Sequence, residues 1–398
     1  MSPSFARIKR CTYLAFVFIL TVEAIFLVCE AGARIYLMHY GDLDFVQAFG
    51  TPDLLARKEI RKEIAVIPGM GYHEDLCPGY QRGLNRHNSL GFRGEEIVMP
   101  KPRGEFRIAC LGGSTTYETG VKDWQKAYPA VLESVLRHRG YRVTVINAGG
   151  PGFTSRDCLV KFETLVAHLD VDMVVQCTAG NDLAFRSIWP PRHFRPDYAM
   201  PADIGTTYFH CYSIADYSVS LRLLRNLLYG DRDLDCRGQD GNEPARMLFF
   251  HAVKQYSEGI YPDGILKTVS LRDVFAANST APFHMNVRNI VSVATTANIT
   301  PMLMTEPVFT EWLPKDAAGR DLYGVLKDGM DEINGVTRRV AEESGVLFYD
   351  LAQSWQAEAR YGKYSVDFFH NNEYGAKLKA ELVADFIISK MGDKLPRL

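Results

Sequence analysis

The hydrophobic pattern predicts an apolar N-terminal segment, an irregular stretch and a long region of alternating strands and helices. Short continuous apolar runs predict five buried strands, at residues 106–111, 143–146, 173–177, 299–304 and 346–349. Helical spacing of apolar residues predicts helices at residues 128–139, 155–169, 286–297, 322–344 and 374–390, with Ser155 as an N-cap. Apolar strands that alternate with helices are typical of a mostly parallel sheet that is covered on both faces. The pattern therefore predicts an α/β fold.

The first forty residues predict a membrane anchor. Residues 12–29 are apolar apart from Glu23, and a run of this length crosses a bilayer core, which takes about 20 residues (range 17–25). Basic residues precede the run, so the N-terminus is expected in the cytoplasm and the rest of the chain on the periplasmic or extracellular side. A cleaved signal peptide is the alternative, because the small residues 31–33 match a cleavage pattern.

These features divide the chain into four parts. We predict a cytoplasmic N-terminus at residues 1–11, a transmembrane anchor with its continuation at 12–38, a juxtamembrane spacer at 39–102 and one α/β domain at 103–392. Within the domain, the alternation of strands and helices is lost at about residues 186–284. That stretch is too long for a simple loop, so we interpret it as an insertion and a candidate lid.

Composition excludes several classes of protein. Lys and Arg number 45 against 47 for Asp and Glu, and a net charge of −2 argues against a nucleic-acid-binding protein. The hydrophobic fraction of 47% and the charged fraction of 23% exclude a disordered chain and a polytopic membrane protein. Eight cysteines without Cys/His clustering predict no metal site. Cys110 and Cys177 fall in predicted strands as buried thiols; disulfide pairing and oligomeric state stay open.

Small, hydroxyl-bearing and charged residues follow several predicted strands. Ser114 follows the first strand, Gly152 the second and Asn181 the third. Asp367 and His370 come just before the last predicted helix. Because open parallel sheets bind ligands at the carboxyl ends of their strands, these residues are expected at one edge of the sheet. Asp182 and Asp350 also follow strands and are interpreted as structural.

This set contains the groups that nucleophilic acyl transfer requires. A serine hydroxyl needs a base within hydrogen-bond reach, and histidine, with a pKa near 6.5, takes and returns a proton at neutral pH. A carboxylate orients the ring, and preorganised donors worth about 3–4 kcal/mol each hold the oxyanion. We therefore predict Ser114 as nucleophile, His370 as base and Asp367 as orienting acid. The predicted oxyanion donors are the amides of Ser114 and Gly152 and the side chain of Asn181.

Structural interpretations and other motifs were weighed against this chemistry. Taken singly, the serine and asparagine fit helix caps and Gly152 fits a tight turn. Residues 112–116 lack the last glycine of a G-x-S-x-G elbow and the lysine of a P-loop. Residues 150–155 lack the third glycine of a dinucleotide fingerprint, and no HExxH occurs. Among these interpretations, only nucleophilic acyl transfer uses the serine, the histidine, the carboxylate and the oxyanion donors together.

Four blocks in order resemble the SGNH hydrolases, the GDSL lipase/esterase superfamily. The blocks are GGST at residues 112–115, NAGGPG at 147–152, GND at 180–182 and DFFH at 367–370. Gly113 stands where that family often has aspartate. The segment NSLGFRG at residues 88–94 is similar to one that is common in membrane-anchored bacterial members. The resemblance covers about residues 106–390 without the insertion.

The resemblance implies a three-layer α/β/α sandwich of flavodoxin-like type, with no metal and no organic cofactor. It implies an ester substrate, either a small molecule or a glycan or lipid ester. The predicted function is an exported, membrane-tethered serine esterase that hydrolyses an O-acyl ester, such as a carbohydrate O-acetyl group. One alternative is an O-acetyltransferase that modifies an extracellular polysaccharide. Another is a non-catalytic glycan-binding or assembly protein on the same fold.

Overall fold

The computed structural model describes residues 3–40, 49, 51, 54, 64–66, 74–198, 218–229, 246–309, 312, 317–358 and 363–398. The chain divides into two compact units. The smaller unit comprises Met1–Lys62 and Gly205–Cys236, and the larger comprises Glu63–Ile204 and Arg237–Leu398.

A parallel five-stranded sheet forms the centre of the larger unit. Its strands are β1 (Phe106–Gly112), β2 (Val143–Gly149), β3 (Met173–Cys177), β4 (Thr300–Met304) and β5 (Leu347–Tyr349). They lie in the order β2-β1-β3-β4-β5, and every neighbouring pair is parallel. The predicted fold class is therefore confirmed, and the five strands lie where the apolar runs predicted them.

The helices are numbered in chain order. The numbers cover the described helices of eight or more residues and two short helices that begin at or beside a predicted site residue. They are α1 (Pro3–His39), α2 (Ser114–Tyr117), α3 (Tyr128–His138), α4 (Ser155–Thr164), α5 (Gly180–Arg186), α6 (Val219–Tyr229), α7 (Leu248–Ser257), α8 (Ala281–Thr296), α9 (Ala317–Ser344), α10 (Leu351–Glu358) and α11 (Glu373–Met391). A further helix, Leu271–Ala277, and short antiparallel strand pairs complete the larger unit.

The two faces of the sheet bury alternate residues of each strand. Ile108 and Cys110 of β1 pack with α3 and α11 on one face, whereas Ala109 and Leu111 pack with α4 and α8 on the other. Helix α9 packs with Leu303 of β4 in a further cluster. This gives the α/β/α layering, since side chains alternate along a strand. Cys110 and Cys177 are buried thiols as predicted, and burial raises the pKa of each to about 12.

The start of α4 differs from the sequence prediction. Thr154 is the N-cap, and it forms a capping box in which its hydroxyl accepts from the Asp157 amide and the Asp157 carboxylate accepts from the Thr154 amide. Ser155, predicted as the cap, is the first helical residue. Its hydroxyl instead donates to the buried carboxylate of Asp182, 2.6 Å away.

The stretch at residues 186–284 contributes to both units. Helices α7 and Leu271–Ala277 pack in the larger unit beside α5 and α9, through a core that includes Leu183, Leu248 and Phe275. Helix α6 belongs to the smaller unit. Residues 199–217 and 230–245 lie outside the described residues, so a lid stays a prediction.

The smaller unit contains one helix that is long and apolar enough to cross a membrane. The candidate span, Thr12–His39, has 28 residues, a mean hydropathy of 2.3 and no burial in its most apolar window. Leu37 of α1 belongs to a small apolar cluster with Val219 and Leu223 of α6. The Glu30 carboxylate accepts from the amides of Val219 and Ser220 at 3.1 and 2.9 Å, so α1 caps the first turn of α6.

Candidate active site

Three of the predicted residues form a continuous hydrogen-bonded chain. Ser114 begins α2 directly after β1, and its Oγ lies 2.7 Å from Nε2 of His370. Nδ1 of the same ring lies 2.7 Å from Oδ2 of Asp367. The Asp367 carboxylate also accepts from the amides of Phe369 and His370, each at 2.8 Å. These contacts bring a hydroxyl, an imidazole and a carboxylate into the order that a catalytic triad has.

The electrostatics of this chain favour a charged His–Asp pair. Burial alone would lower the pKa of His370, but the hydrogen bond and charge of Asp367, with the charges of Glu306 and Glu118, raise it above its usual value. Burial alone would raise the pKa of Asp367, but hydrogen bonds from His370 and two backbone amides lower it. The Asp367 carboxylate is therefore ionised at neutral pH, and the imidazolium is stabilised.

The predicted oxyanion residues differ in where the structure places them. The Asn181 side chain lies at the start of α5 and donates from Nδ2 to the Phe153 carbonyl, 2.9 Å away. Asn181 and Ser114 line the same small cavity, which does not include Gly152. Gly152 is exposed in the turn after β2 and has a φ of +78°, a conformation that favours glycine. The structure thus brings Ser114 and Asn181 together, whereas Gly152 is not among the residues that line the cavity.

The small cavity at Ser114 has a volume of about 80 Å³ and aromatic walls. Phe153, Phe249, Phe250 and Phe369 line it together with His370. The rings of Phe249 and Phe369 stack, with centroids 6.1 Å apart and an interplanar angle of 26°. Phe249 and Phe250 belong to α7, so the predicted insertion contributes two walls of the cavity. Sequence reasoning missed both residues, because the insertion carries no motif.

The segment at residues 88–94 stabilises the turn of α2. Arg93 is buried, and its guanidinium donates to the carbonyls of Tyr117, Glu118 and Val121 at 2.5, 3.0 and 2.6 Å. It also lies 4.5 Å from the centre of the Tyr117 ring. The Tyr117 and Glu118 carbonyls end a four-residue helix that has no long hydrogen-bond ladder of its own. Arg93 therefore stabilises the helix that begins with Ser114.

Two more buried charges stabilise the same helix. Glu118 follows α2 with a φ of +73°, and its carboxylate accepts from Nδ2 of Asn371, 2.8 Å away. Burial raises the pKa of Glu118. Lys379 of α11 donates from Nζ to the Thr115 carbonyl at 3.0 Å. Because Asn371 is next to His370, the Glu118 bond connects α2 to the loop that carries His370.

Asp182 joins the loop after β2 to α5. Its carboxylate accepts from the Ser155 hydroxyl at 2.6 Å and from the Ser155 amide at 3.0 Å. Burial outweighs these hydrogen bonds and raises the pKa of Asp182 to about 7. Asp182 has no contact with the triad among the described hydrogen bonds, which fits the structural role predicted for it. Asp350 likewise pairs with Arg338, at 2.7 Å, and with Thr305.

Glu306 is a site residue that sequence reasoning missed. It follows β4, and its buried carboxylate reaches the cavity that Ser114, Asn181 and His370 line. Its Oε2 accepts from the Gly180 amide at 2.7 Å, and its Oε1 accepts from the Thr115 hydroxyl. The position after a parallel strand was the available signal, since the other strand ends were chosen on that ground.

A larger cavity, of about 650 Å³, lies elsewhere and contains none of the predicted catalytic residues. Trp124, Glu133 and Arg137 are among its lining residues. Its charges are paired within the protein: Glu133 contacts Arg137 at 3.1 Å and accepts from the Val145 amide at 2.8 Å. Size alone therefore does not locate the reactive group. Within the described part of the chain, no three His, Cys, Asp or Glu side chains form a group that could hold a metal ion.

Comparison with known proteins agrees with this architecture. The family model for the GDSL-like lipase/acylhydrolase family matches residues 110–378, more than half of the chain. The chain therefore belongs to this family of serine ester hydrolases, and the resemblance seen in the four blocks is confirmed. No curated protein shows a significant match to the chain.

Solved structures with a similar arrangement share little sequence with the chain. A lipase/acylhydrolase from Enterococcus faecalis is 14% identical with a TM-score of 0.41, and the match covers 74% of this chain and 98% of that one. A variant of an acetyl xylan esterase from Geobacillus stearothermophilus is 15% identical with a TM-score of 0.39, covering 72% of this chain and 94% of that one.

Proposed function

We propose that the protein is a serine esterase in which Ser114, His370 and Asp367 form the catalytic triad. The observation that carries the proposal is the hydrogen-bonded chain from Ser114 Oγ through the His370 ring to the Asp367 carboxylate. The ring removes the hydroxyl proton as Oγ attacks the ester carbonyl, and then gives it to the leaving alcohol. Water, deprotonated by the same ring, releases the acyl group from Ser114.

The oxyanion of the tetrahedral intermediate is stabilised by donors beside Ser114. The Asn181 amide group has two N–H bonds, and the bond to the Phe153 carbonyl uses one of them and orients the side chain. We assign the other to the oxyanion, together with the amide of Ser114. The amide of Gly152, in the exposed turn that precedes Phe153, is the third donor that we propose. Each such donor lowers the activation barrier by about 3–4 kcal/mol.

The aromatic cavity supports a short acyl group. Its volume of about 80 Å³ lies well below the roughly 300–1,000 Å³ of pockets that take drug-sized ligands. An acetyl group, with three heavy atoms, is the smallest acyl group of a common ester and suits a small space of this kind. The stacked rings of Phe249 and Phe369 are walls that a longer chain would meet. An O-acetyl ester, such as one carried by a carbohydrate, is therefore the substrate class that we propose.

Solvent access favours hydrolysis over transfer to a polysaccharide. About half of the Asp367 side chain and a quarter of the His370 side chain are exposed, at 48% and 24%. Solvent therefore contacts the base that would activate the deacylating water, which supports hydrolysis, whereas transfer is favoured by a site that excludes water. A non-catalytic binding role is disfavoured, because it would not need a serine hydroxyl bonded to a histidine–carboxylate pair.

We further propose that α1 stays attached as a single-pass membrane anchor, with the N-terminus cytoplasmic and the catalytic unit exported. Helix α1 is continuous past Ala33, and Glu30 and Leu37 contact α6 on either side of that residue. Cleavage after Ala33 would separate these contacts.

The anchor proposal is tested by isolating the full-length protein from membranes. It predicts that the protein stays with the membrane pellet at alkaline pH and keeps the mass of the uncleaved chain. External protease should digest the catalytic unit and leave the N-terminus protected. A soluble product that begins near residue 34 would contradict it.

The esterase proposal predicts that Ser114→Ala and His370→Ala each lower kcat on p-nitrophenyl acetate by about 10³–10⁶, with the fold kept.

Because the pKa of His370 is raised, kcat/KM should rise with pH through a value above 6.5 as the ring loses its proton. Asp367→Asn should move that rise to lower pH and reduce kcat by about 10⁴. The purified full chain in detergent is assayed beside Ser220→Ala, a control in the smaller unit. Equal rates for wild type and Ser114→Ala would contradict the proposal.

The short-acyl assignment predicts a change of preference when the cavity is enlarged. Phe249→Val should raise the ratio of kcat/KM for butyrate over acetate by at least about tenfold, the effect expected for one methylene group. Phe283→Val is the matched control, since Phe283 is buried in the same apolar cluster but does not line the cavity. An unchanged ratio in folded Phe249→Val, or the same change in both variants, would contradict the assignment.

A further inference from the structure

One buried carboxylate joins the nucleophile turn to the oxyanion turn. Glu306 lies at the carboxyl end of β4, with only 4% of its surface exposed. Its Oε2 accepts from the Gly180 amide at 2.7 Å, and its Oε1 accepts from the hydroxyl of Thr115. Gly180 precedes Asn181, and Thr115 follows Ser114. The two oxygens of Glu306 therefore hold the neighbours of Asn181 and Ser114. The distance between Asn181 and Ser114 must stay constant if both are to act on one substrate.

The position of Glu306 is itself determined by a buried amide. Asn334 of α9 accepts from the Glu306 amide through Oδ1 and donates to the Glu306 carbonyl through Nδ2, each at 2.9 Å. Only 2% of Asn334 is exposed. This two-point contact holds the backbone of Glu306 in register with the helix layer, so that the carboxylate has little freedom to follow a moving partner.

We propose that Glu306 is a positioning residue of the acyl-transfer site: it sets the separation of Asn181 from Ser114 and supplies negative charge that stabilises the protonated His370. The inference rests on the proposed esterase function. Two separate effects follow. The two hydrogen bonds keep the oxyanion donors in place, and the charge acts on the base across the cavity without touching it.

The charges that act on His370 come from three elements. Asp367 contacts the ring from its own loop, at 2.7 Å. Glu306 acts from the end of β4, and Glu118, which accepts from Asn371 next to His370, acts from the end of α2. Lys379 of α11 and Arg93 lie beside Glu118 and offset part of its charge. Loss of Glu306 therefore leaves the Asp367 contact intact and removes one of two more distant negative charges.

Two substitutions separate the effects. Glu306→Gln keeps one acceptor for the Gly180 amide, and its NH₂ group can donate to the Thr115 hydroxyl, so the bridge remains while the charge is lost. Glu306→Ala loses both. Glu133→Gln is the matched control, because Glu133 is a largely buried carboxylate that accepts a backbone amide, from Val145 at 2.8 Å, and contacts none of the triad.

The experiment measures the pKa of His370 by NMR of histidine-labelled full chain in detergent, with His370→Ala to assign the signal. Both Glu306 variants should lower this pKa, and Glu133→Gln should leave it unchanged. On p-nitrophenyl acetate, Glu306→Ala should lower kcat by about 10²–10³, as expected for a displaced oxyanion donor, with little change in KM. Glu306→Gln should lose less than about tenfold and should move the acid limb of kcat/KM to lower pH.

The outcomes distinguish this inference from the esterase proposal. A wild-type chain without Ser114-dependent turnover would refute the esterase function, while the NMR titration would still decide the electrostatic part. An active wild type with an unchanged His370 pKa in both variants would overturn the charge effect. Unchanged kcat in Glu306→Ala, or equal loss in the Ala and Gln variants, would overturn the positioning effect. A lower melting temperature without a change in the His370 pKa or in kcat would overturn both effects and show that Glu306 has only a structural role.

Discussion

The close approach of three strand ends is the constraint on which the site depends. A side chain at Gly112 would overlap Thr116 and the Cys177 carbonyl, and one at Gly149 would overlap the Tyr117 amide. At Gly113 a Cβ would lie 2.8 Å from Asn181 Nδ2 and 2.9 Å from the Phe153 carbonyl. The turn that carries Ser114 is therefore packed directly against β2, β3 and the loops that follow them. This packing also explains why glycine stands where the family often has aspartate.

Such tight backbone packing leaves the short helix α2 dependent on side chains for its hydrogen bonds. Arg93 and Lys379 supply them from distant parts of the chain, and the carboxylate of Glu118, at the end of α2, accepts from Asn371; all three residues are buried. Beside Asn181, the Asp182 carboxylate accepts from Ser155, and the Glu306 carboxylate accepts from Gly180 and from Thr115 of α2. Removing the partner of a buried hydrogen-bonding group costs about 1–3 kcal/mol, and more where the group is charged. The stability of the larger unit is thus coupled to the geometry of its reactive groups.

The sequence predicted the parts of the structure that local patterns determine. The five strands follow from continuous apolar runs, and Ser114, Asn181, Asp367 and His370 follow from short blocks near strand ends or the last helix. Contacts between distant segments were not predictable in this way. Phe249 reaches the cavity from a stretch without a motif, and Glu306, although it follows a predicted strand, shows its partners Thr115 and Gly180 only in the folded chain. Ser155 was taken for a cap because its partner, Asp182, is 27 residues away.

The oxyanion role of Gly152 is inferred from its position in a sequence block, and this inference has less structural support than that for Asn181. The block pattern assigns it to the oxyanion hole, whereas the structure shows an exposed turn with a positive φ that requires glycine on conformational grounds alone. By contrast, Asn181 lines the cavity and is held by the Phe153 carbonyl. The two oxyanion assignments therefore have unequal structural support, and the central claim does not depend on Gly152.

The central claim is that His370 activates the Ser114 hydroxyl as a nucleophile. Covalent labelling of this serine tests the claim most directly. The folded full chain is treated with a fluorophosphonate, digested and analysed by mass spectrometry, beside His370→Ala. The account predicts a single phosphonylated serine, at Ser114, whose labelling is lost when the histidine is removed. Absence of label at Ser114 in folded protein, or equal labelling in the His370→Ala variant, would contradict it.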